Sequence, residues 1–315
     1  MKRREGLRLL LASARFDSSL ASVRRAFGDP KPPAVITQKA FDFDDGHYRR
    51  MCSLRPGERP RAIDLLNYAL DLQYQEALQP DLFRSLFPSC LEAWRDELYG
   101  FTDYAGFVDE FNTALVRGRI LERMLQPSEL AAVASAMRAW ILEAIDRQRG
   151  LHFRGSERRA YKWIRAVATY GVLQPDVESL WVAWWNLESV GRAIAAIQYI
   201  SCLMYETSSN PIFDPWTREA GGGPPTLWEY GGFLYEDHWK LENVAYLERA
   251  LEVSHLEAKL VESVARLVDE PEHVQAKRVL GDWNRQLSIT TSRCAELPKI
   301  LATRSAADVL FEWKT

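Results

Sequence analysis

Apolar residues recur at three- and four-residue intervals along most of this chain, the spacing that lines one face of a helix. The pattern predicts two short helices over residues 4–14 and 18–27, then a proline-bearing connector to residue 43 and a break at Pro56 to Pro60. From Ala62 the positions Leu65, Leu66, Ala69, Leu70, Leu72 and Tyr74 continue at helical spacing. Pro80, Pro88 and Pro127 each suit the first residue of a further helix, where a missing N–H costs nothing. Helices are predicted over Asp103 to Leu125, from Pro127 through Ala144, and over Ser156 to Tyr170. Gln174 to Met204 is the longest apolar pattern, with Trp181, Trp184 and Trp185 on neighbouring faces, and reads as the spine of the core. Leu241 to Val268 and Pro271 to about Leu287 follow, with a helix or two to finish.

Strand signals are nearly absent, and the single candidate is a hairpin within Thr226 to Tyr235. The expected fold is therefore all-α, an irregular multi-helix bundle without a regular repeat. Its expected organisation is a basic helical arm over residues 1–60 and a main helical domain over 61–315.

One segment breaks the helical pattern. Thr207 to Trp239 is rich in glycine and proline, yet Phe213, Trp216, Trp228, Tyr230, Phe233, Tyr235 and Trp239 are set through it. Long connections inside compact domains are commonly lids or binding loops, and segments that stay unfolded are poor in aromatics. This makes the segment a candidate site.

Composition adds little until charge is divided along the chain. The formal charge is −3, but residues 1–61 hold fourteen Lys and Arg against seven Asp and Glu, so the remainder is acidic. The four cysteines, Cys52, Cys90, Cys202 and Cys294, lie too far apart for a zinc knuckle or a thioredoxin-type motif, and a reducing, cytoplasmic setting is the default reading. The longest apolar run, Ser189 to Met204, contains Arg192 and is shorter than a bilayer span, so no membrane partner is expected.

The densest chemical signal outside the loop is the stretch from Arg147 to Arg165. Arg147, Arg149, Arg154, Arg158, Arg159, Lys162 and Arg165 face only Glu157 there. On a helix Arg158, Lys162 and Arg165 share a face, a row suited to successive phosphates, while Phe153, Tyr161 or Trp163 supplies stacking surface. The competing reading is a solvated face paired with the acidic C-terminal helices.

Two Glu-x-x-His spacings, Glu252 with His255 and Glu270 with His273, echo di-iron bundles, but Pro271 puts the second pair in a first turn and the intervening chain is too short. No metal and no cofactor site is expected. Phe41-Asp42-Phe43-Asp44-Asp45-Gly46-His47 resembles the Asp-x-Asp loop of haloacid-dehalogenase-type phosphatases, whose alternating α/β chain is missing here. Asp44 or Asp45 reads instead as a helix N-cap. Asp64-Leu65-Leu66-Asn67-Tyr68 and Tyr104-Ala105-Gly106-Phe107 resemble segments of the queuosine-nucleotide glycosidase family. The later aspartate motif that carries that family's catalysis has no counterpart, and the chain is not assigned to it.

Two functional readings remain. In the first, a noncatalytic helical protein binds a nucleic acid, a nucleotide or an acidic protein through Arg154, Arg158, Arg159, Lys162 and Arg165. In the second, the segment from Thr207 to Trp239 closes over a small or nucleotide-like substrate of a hydrolase. Glu236, Asp237 and His238 are its acid/base candidates, and Trp216, Trp228 and Tyr230 its walls. The same aromatics also suit a protein partner.

Overall fold

The computed structural model describes residues 18–28, 30–41, 46–55, 58–75, 77–101, 105–117, 119–151, 159–205, 210–212 and 239–306. Among these residues every regular element is a helix, so the chain is all-α. The backbone divides into two compact units, residues 1–140 and 141–315.

In the first unit, α1 covers residues 18–26. It is followed by α2 (Gly46–Cys52), α3 (Ala62–Tyr74), α4 (Pro80–Leu98), α5 (Ala105–Arg117), α6 (Ile120–Met124) and most of α7 (Pro127–Asp146). Helices α3, α4 and α5 bury Leu65, Leu72, Phe83, Phe87, Phe107, Phe111 and Leu115 against one another. Phe83, Phe87, Phe111 and Phe107 form a run of ring contacts at 4.7 to 5.8 Å between centroids. Trp94 keeps its polar edge satisfied by donating to Asn112 Oδ1 at 2.9 Å.

Pro80 and Pro127 open their helices as the spacing predicts, but Pro88 lies buried inside α4. The helix predicted from Asp103 to Leu125 is interrupted between α5 and α6, where Arg119 adopts φ 47°.

The second unit contains the end of α7, then α8 (Arg159–Leu173), α9 (Val177–Trp185), α10 (Val190–Met204), α11 (Leu241–Ala250), α12 (Val253–Arg266), α13 (His273–Gly281) and α14 (Trp283–Ala306). Helix α10 is buried along almost its whole length and packs against α12 and α14. The spine predicted from Gln174 to Met204 is therefore two helices. The chain leaves α9 at Asn186, passes through Leu187 at φ 54°, and re-enters helix at the N-cap Ser189, whose Oγ accepts from Arg192 N.

Arg192 closes this turn. Its guanidinium donates to Ala183 O at 2.7 Å, Asn186 Oδ1 at 2.8 Å and Asp146 Oδ1 at 2.8 Å. Gly191 is needed beside it, since a Cβ there would lie 2.3 Å from the Asp146 carbonyl oxygen. The helix predicted over Leu241 to Val268 is likewise broken, at Leu251 and Glu252.

Candidate functional site

The basic stretch divides into side chains with different tasks. Arg147 pairs with Glu143 one turn earlier at 3.1 Å. Arg149 donates to the carbonyls of Asp146 and Gln148, closing the end of α7. Gly150 then turns the chain at φ 77° and donates its N–H to Glu272 Oε1 at 2.6 Å. Arg154 and Arg158 lie outside the described residues, as does the side chain of Arg159, although its backbone opens α8.

Further along α8, Lys162 is half-buried and Arg165 is only 6% exposed, and both already interact with groups of the chain. Trp163, Ile164, Ala166 and Val167 beside them are buried too. A guanidinium at that depth needs compensating partners and cannot serve as one of a row of solvated phosphate contacts. The structure thus does not bring Lys162 and Arg165 together on an exposed face.

The aromatic segment is described only at its ends, and each end is fixed within the second unit. On the entry side Ile212 is fully buried, Asn210 Nδ2 donates to Ser201 Oγ at 3.1 Å, and Gln275 Nε2 donates to Pro211 O at 2.7 Å. On the exit side Trp239 is buried and lies over Gly171, where a Cβ would come within 2.9 Å of the indole ring. Asn243, at the start of α11, donates to Gly171 O and Gln174 O and accepts from Val177 N, which ties that exit to the α8–α9 connection. Trp216, Trp228, Tyr230, Glu236, Asp237 and His238 lie outside the described residues, as does the hairpin expected within Thr226 to Tyr235.

Around Trp181 the core of this unit is aromatic. Trp163, Trp181, Trp184, Trp185 and Tyr199 pack with ring centroids 5.0 to 6.2 Å apart. His255, exposed on α12, stacks on Trp185 and so belongs to this packing. Glu252, the residue before α12, and the pair Glu270 and His273 join no cluster: among the described residues no group of three or more His, Cys, Asp or Glu is placed to hold a metal.

The first unit holds a polar site that local sequence patterns do not display. His47 Nε2 lies 2.6 Å from Asp71 Oδ2, both side chains being 1% exposed, and the other Asp71 oxygen accepts the Phe41 N–H at 2.6 Å. One buried carboxylate therefore holds the chain on both sides of residues 42–45. Tyr48 extends the network by accepting from Gln38 Nε2, while Gln79 Oε1 accepts from the backbone N–H groups of Thr37 and Gln38. Asp42 to Asp45 themselves lie outside the described residues.

Asp64 is buried under Arg50 and Arg61. Hydrogen bonds from Arg61 hold its pKa below the usual carboxylate range against burial, which acts the other way, and Arg50 adds to the lowering. Thiols show the opposite effect. Burial raises Cys52, raises Cys90 far more, and pushes Cys294 up to about 12. Among the described residues no helix is long and apolar enough to cross a membrane. Compared with protein-family models, with curated proteins and with solved structures, the chain has no significant match.

Proposed function

We propose that this protein is an all-helical binding or scaffold protein that engages an anionic partner through the arginine-rich stretch leading into α8. The observation that carries the reading is that seven Lys and Arg stand against the single acid Glu157 between residues 147 and 165. Internal roles account for Arg147, Arg149 and Arg165. Contact with a phosphate-bearing or carboxylate-bearing partner then falls to Arg154, Arg158 and Arg159, with Lys162 at the margin. The four cysteines are free thiols, which supports a reducing, cytoplasmic setting.

The test is replacement of Arg154, Arg158 and Arg159 together by alanine, with binding to a labelled polyanion as the readout. The variant is expected to bind at least about tenfold more weakly at moderate salt, since each lost phosphate contact removes released counterions. Unchanged affinity would move the contact elsewhere.

A second reading is supported by the anchoring of the aromatic segment at Ile212 and Trp239, because a lid needs fixed hinges. Here Trp216, Trp228 and Tyr230 wall a pocket, and Glu236, Asp237 and His238 supply acid/base chemistry on a small or nucleotide-like substrate. Replacing His238 by alanine would then abolish turnover while the helical fold survives. The same segment, hairpin included, equally suits a protein partner.

A further inference from the structure

Helix α12 is apolar on two sides. Leu256, Leu260, Val264 and Leu267 are buried, and the helix packs against α10. Residues two apart on a helix point about 200° apart, and the positions offset in this way from the buried row form a second one. It consists of Ser254, Ala258, Val261 and Ala265, continued by Val268 in the turn after the helix, and all five are exposed. Val261 is 49% and Val268 58% exposed. Steps of four and three residues alternate along this row, the spacing of a coiled-coil seam.

Size alternates along the seam as well. Alanine recurs at the seventh residue, at Ala258 and Ala265, with Val261 between them and Val268 beyond. In a parallel pair of such helices alanine would meet alanine and valine would meet valine, which leaves every second layer underfilled. In an antiparallel pair Val261 meets Ala265 of the other helix, and Ala258 meets Val268. Every layer then joins a larger side chain to a small one, and the row is complementary to itself, as an interface about a two-fold axis requires.

The charges beside the seam follow the same register. One flank carries His255, Lys259, Glu262, Arg266 and Asp269, two cations and two anions besides the histidine. Reversing one helix sets Glu262 of one copy opposite Arg266 of the other, and Asp269 opposite His255 and Lys259. Within the chain Glu262 binds Lys259 at 2.8 Å, which offsets the approach of the two Glu262 carboxylates near the axis, and Arg266 donates to Glu188 O. Asp269 has no ion pair among the described residues. Glu257 stands on the other flank, about 18 Å along the axis from its own copy, beyond the reach of repulsion at physiological salt.

We propose that this face of α12 pairs with the same face of a second copy of the chain, antiparallel about a two-fold axis. A contact four layers long buries less than the roughly 1,200 Å² of a standard interface, so the dimer is weak, with a Kd on the order of 100 µM. The face holds none of the arginines or aromatics invoked under the proposed function.

Sedimentation equilibrium of the full chain from about 5 to 500 µM brackets that Kd. The weight-average mass is expected to rise from the 36.2 kDa of one chain toward twice that value. Val261→Glu, at an exposed position, is expected to weaken association more than about tenfold, with circular dichroism confirming wild-type helicity. Charge exchange tests the register. Glu262→Arg and Arg266→Glu each set like charges opposite one another and are expected to stay monomeric, whereas an equimolar mixture of the two restores both pairs and should associate as the wild type does. A role of either residue confined to its own chain would not recover on mixing. The proposal is overturned if the wild type is monomeric at about 500 µM, if Val261→Glu associates as tightly as the wild type, or if the two charge variants do not associate when mixed.

Discussion

Individual polar side chains do much of the fastening in this protein, and their contributions can be separated. Asn243 satisfies one buried N–H and two buried carbonyls around the α8–α9 connection. Asn243→Ala leaves all three without that partner and is expected to cost about 3 kcal/mol, read as a fall in the denaturant midpoint at constant m-value. A loss of a few tenths would mean water replaces the amide without cost. Asp64 makes a pH-dependent contribution. Its folded pKa is lowered, so its stabilisation is fully present above the unfolded carboxylate value near 4 and is lost as pH falls through the folded value. Asp64→Asn should therefore lower the melting temperature at neutral pH, with the difference from wild type shrinking under acid. A gap that stayed constant down to about pH 2 would show that the carboxylate's charge is not what matters. Burial of the thiols gives an order of reactivity. At pH 8 iodoacetamide should modify half-buried Cys52 first, with Cys90 and Cys294 reacting only after unfolding, and peptide mass spectrometry resolves the sites.

At the scale of elements, helix content and several starts are legible in the sequence, whereas the breaks are not. Pro80 and Pro127 mark their helices because proline is favoured where no N–H is needed. The breaks at Arg119 and Leu187 rely on non-glycine residues with positive φ, conformations that composition does not announce. The Leu187 turn is held by Arg192, Ser189 and Asp146, which local propensity cannot foresee because Asp146 is distant in the chain. The candidate site was legible to the same degree. The charge of Arg147 to Arg165 is plain in the sequence, but the burial of Arg165 follows from packing around α8, and the His47–Asp71 pair joins residues on separate helices. Close approach at the start of α10 gives an element-scale prediction. Gly191→Ala would force a Cβ against the Asp146 backbone and should destabilise by about 2 kcal/mol or more. Gly281→Ala, at an open position ending α13, should be neutral or stabilise by up to about 0.5 kcal/mol. Equal effects in chemical denaturation would show that the Gly191 contact relaxes.

Across the whole molecule, charge is sorted along the chain more strongly than the small net value suggests, with the positive excess in residues 1–61 and a second cationic run at 147–165. Neither run is consumed by internal ion pairs to the same extent throughout. Arg147 pairs with Glu143 and Arg165 is buried, while Arg49, Arg55, Arg59 and Arg61 are exposed. Helical proteins that only pack their charges against themselves lose little on dilution into salt. Those that meet a polyanion release counterions and show a steep, linear decline in log affinity. Anisotropy of a labelled oligonucleotide or polyphosphate with the wild-type chain, across roughly 50 to 300 mM salt, reads that distinction directly. The account predicts measurable binding at low salt that falls with a log–log slope of about −2 or steeper. Absence of binding at low salt, or an affinity indifferent to salt, would contradict it and leave the anchored aromatic segment as the place to look for function.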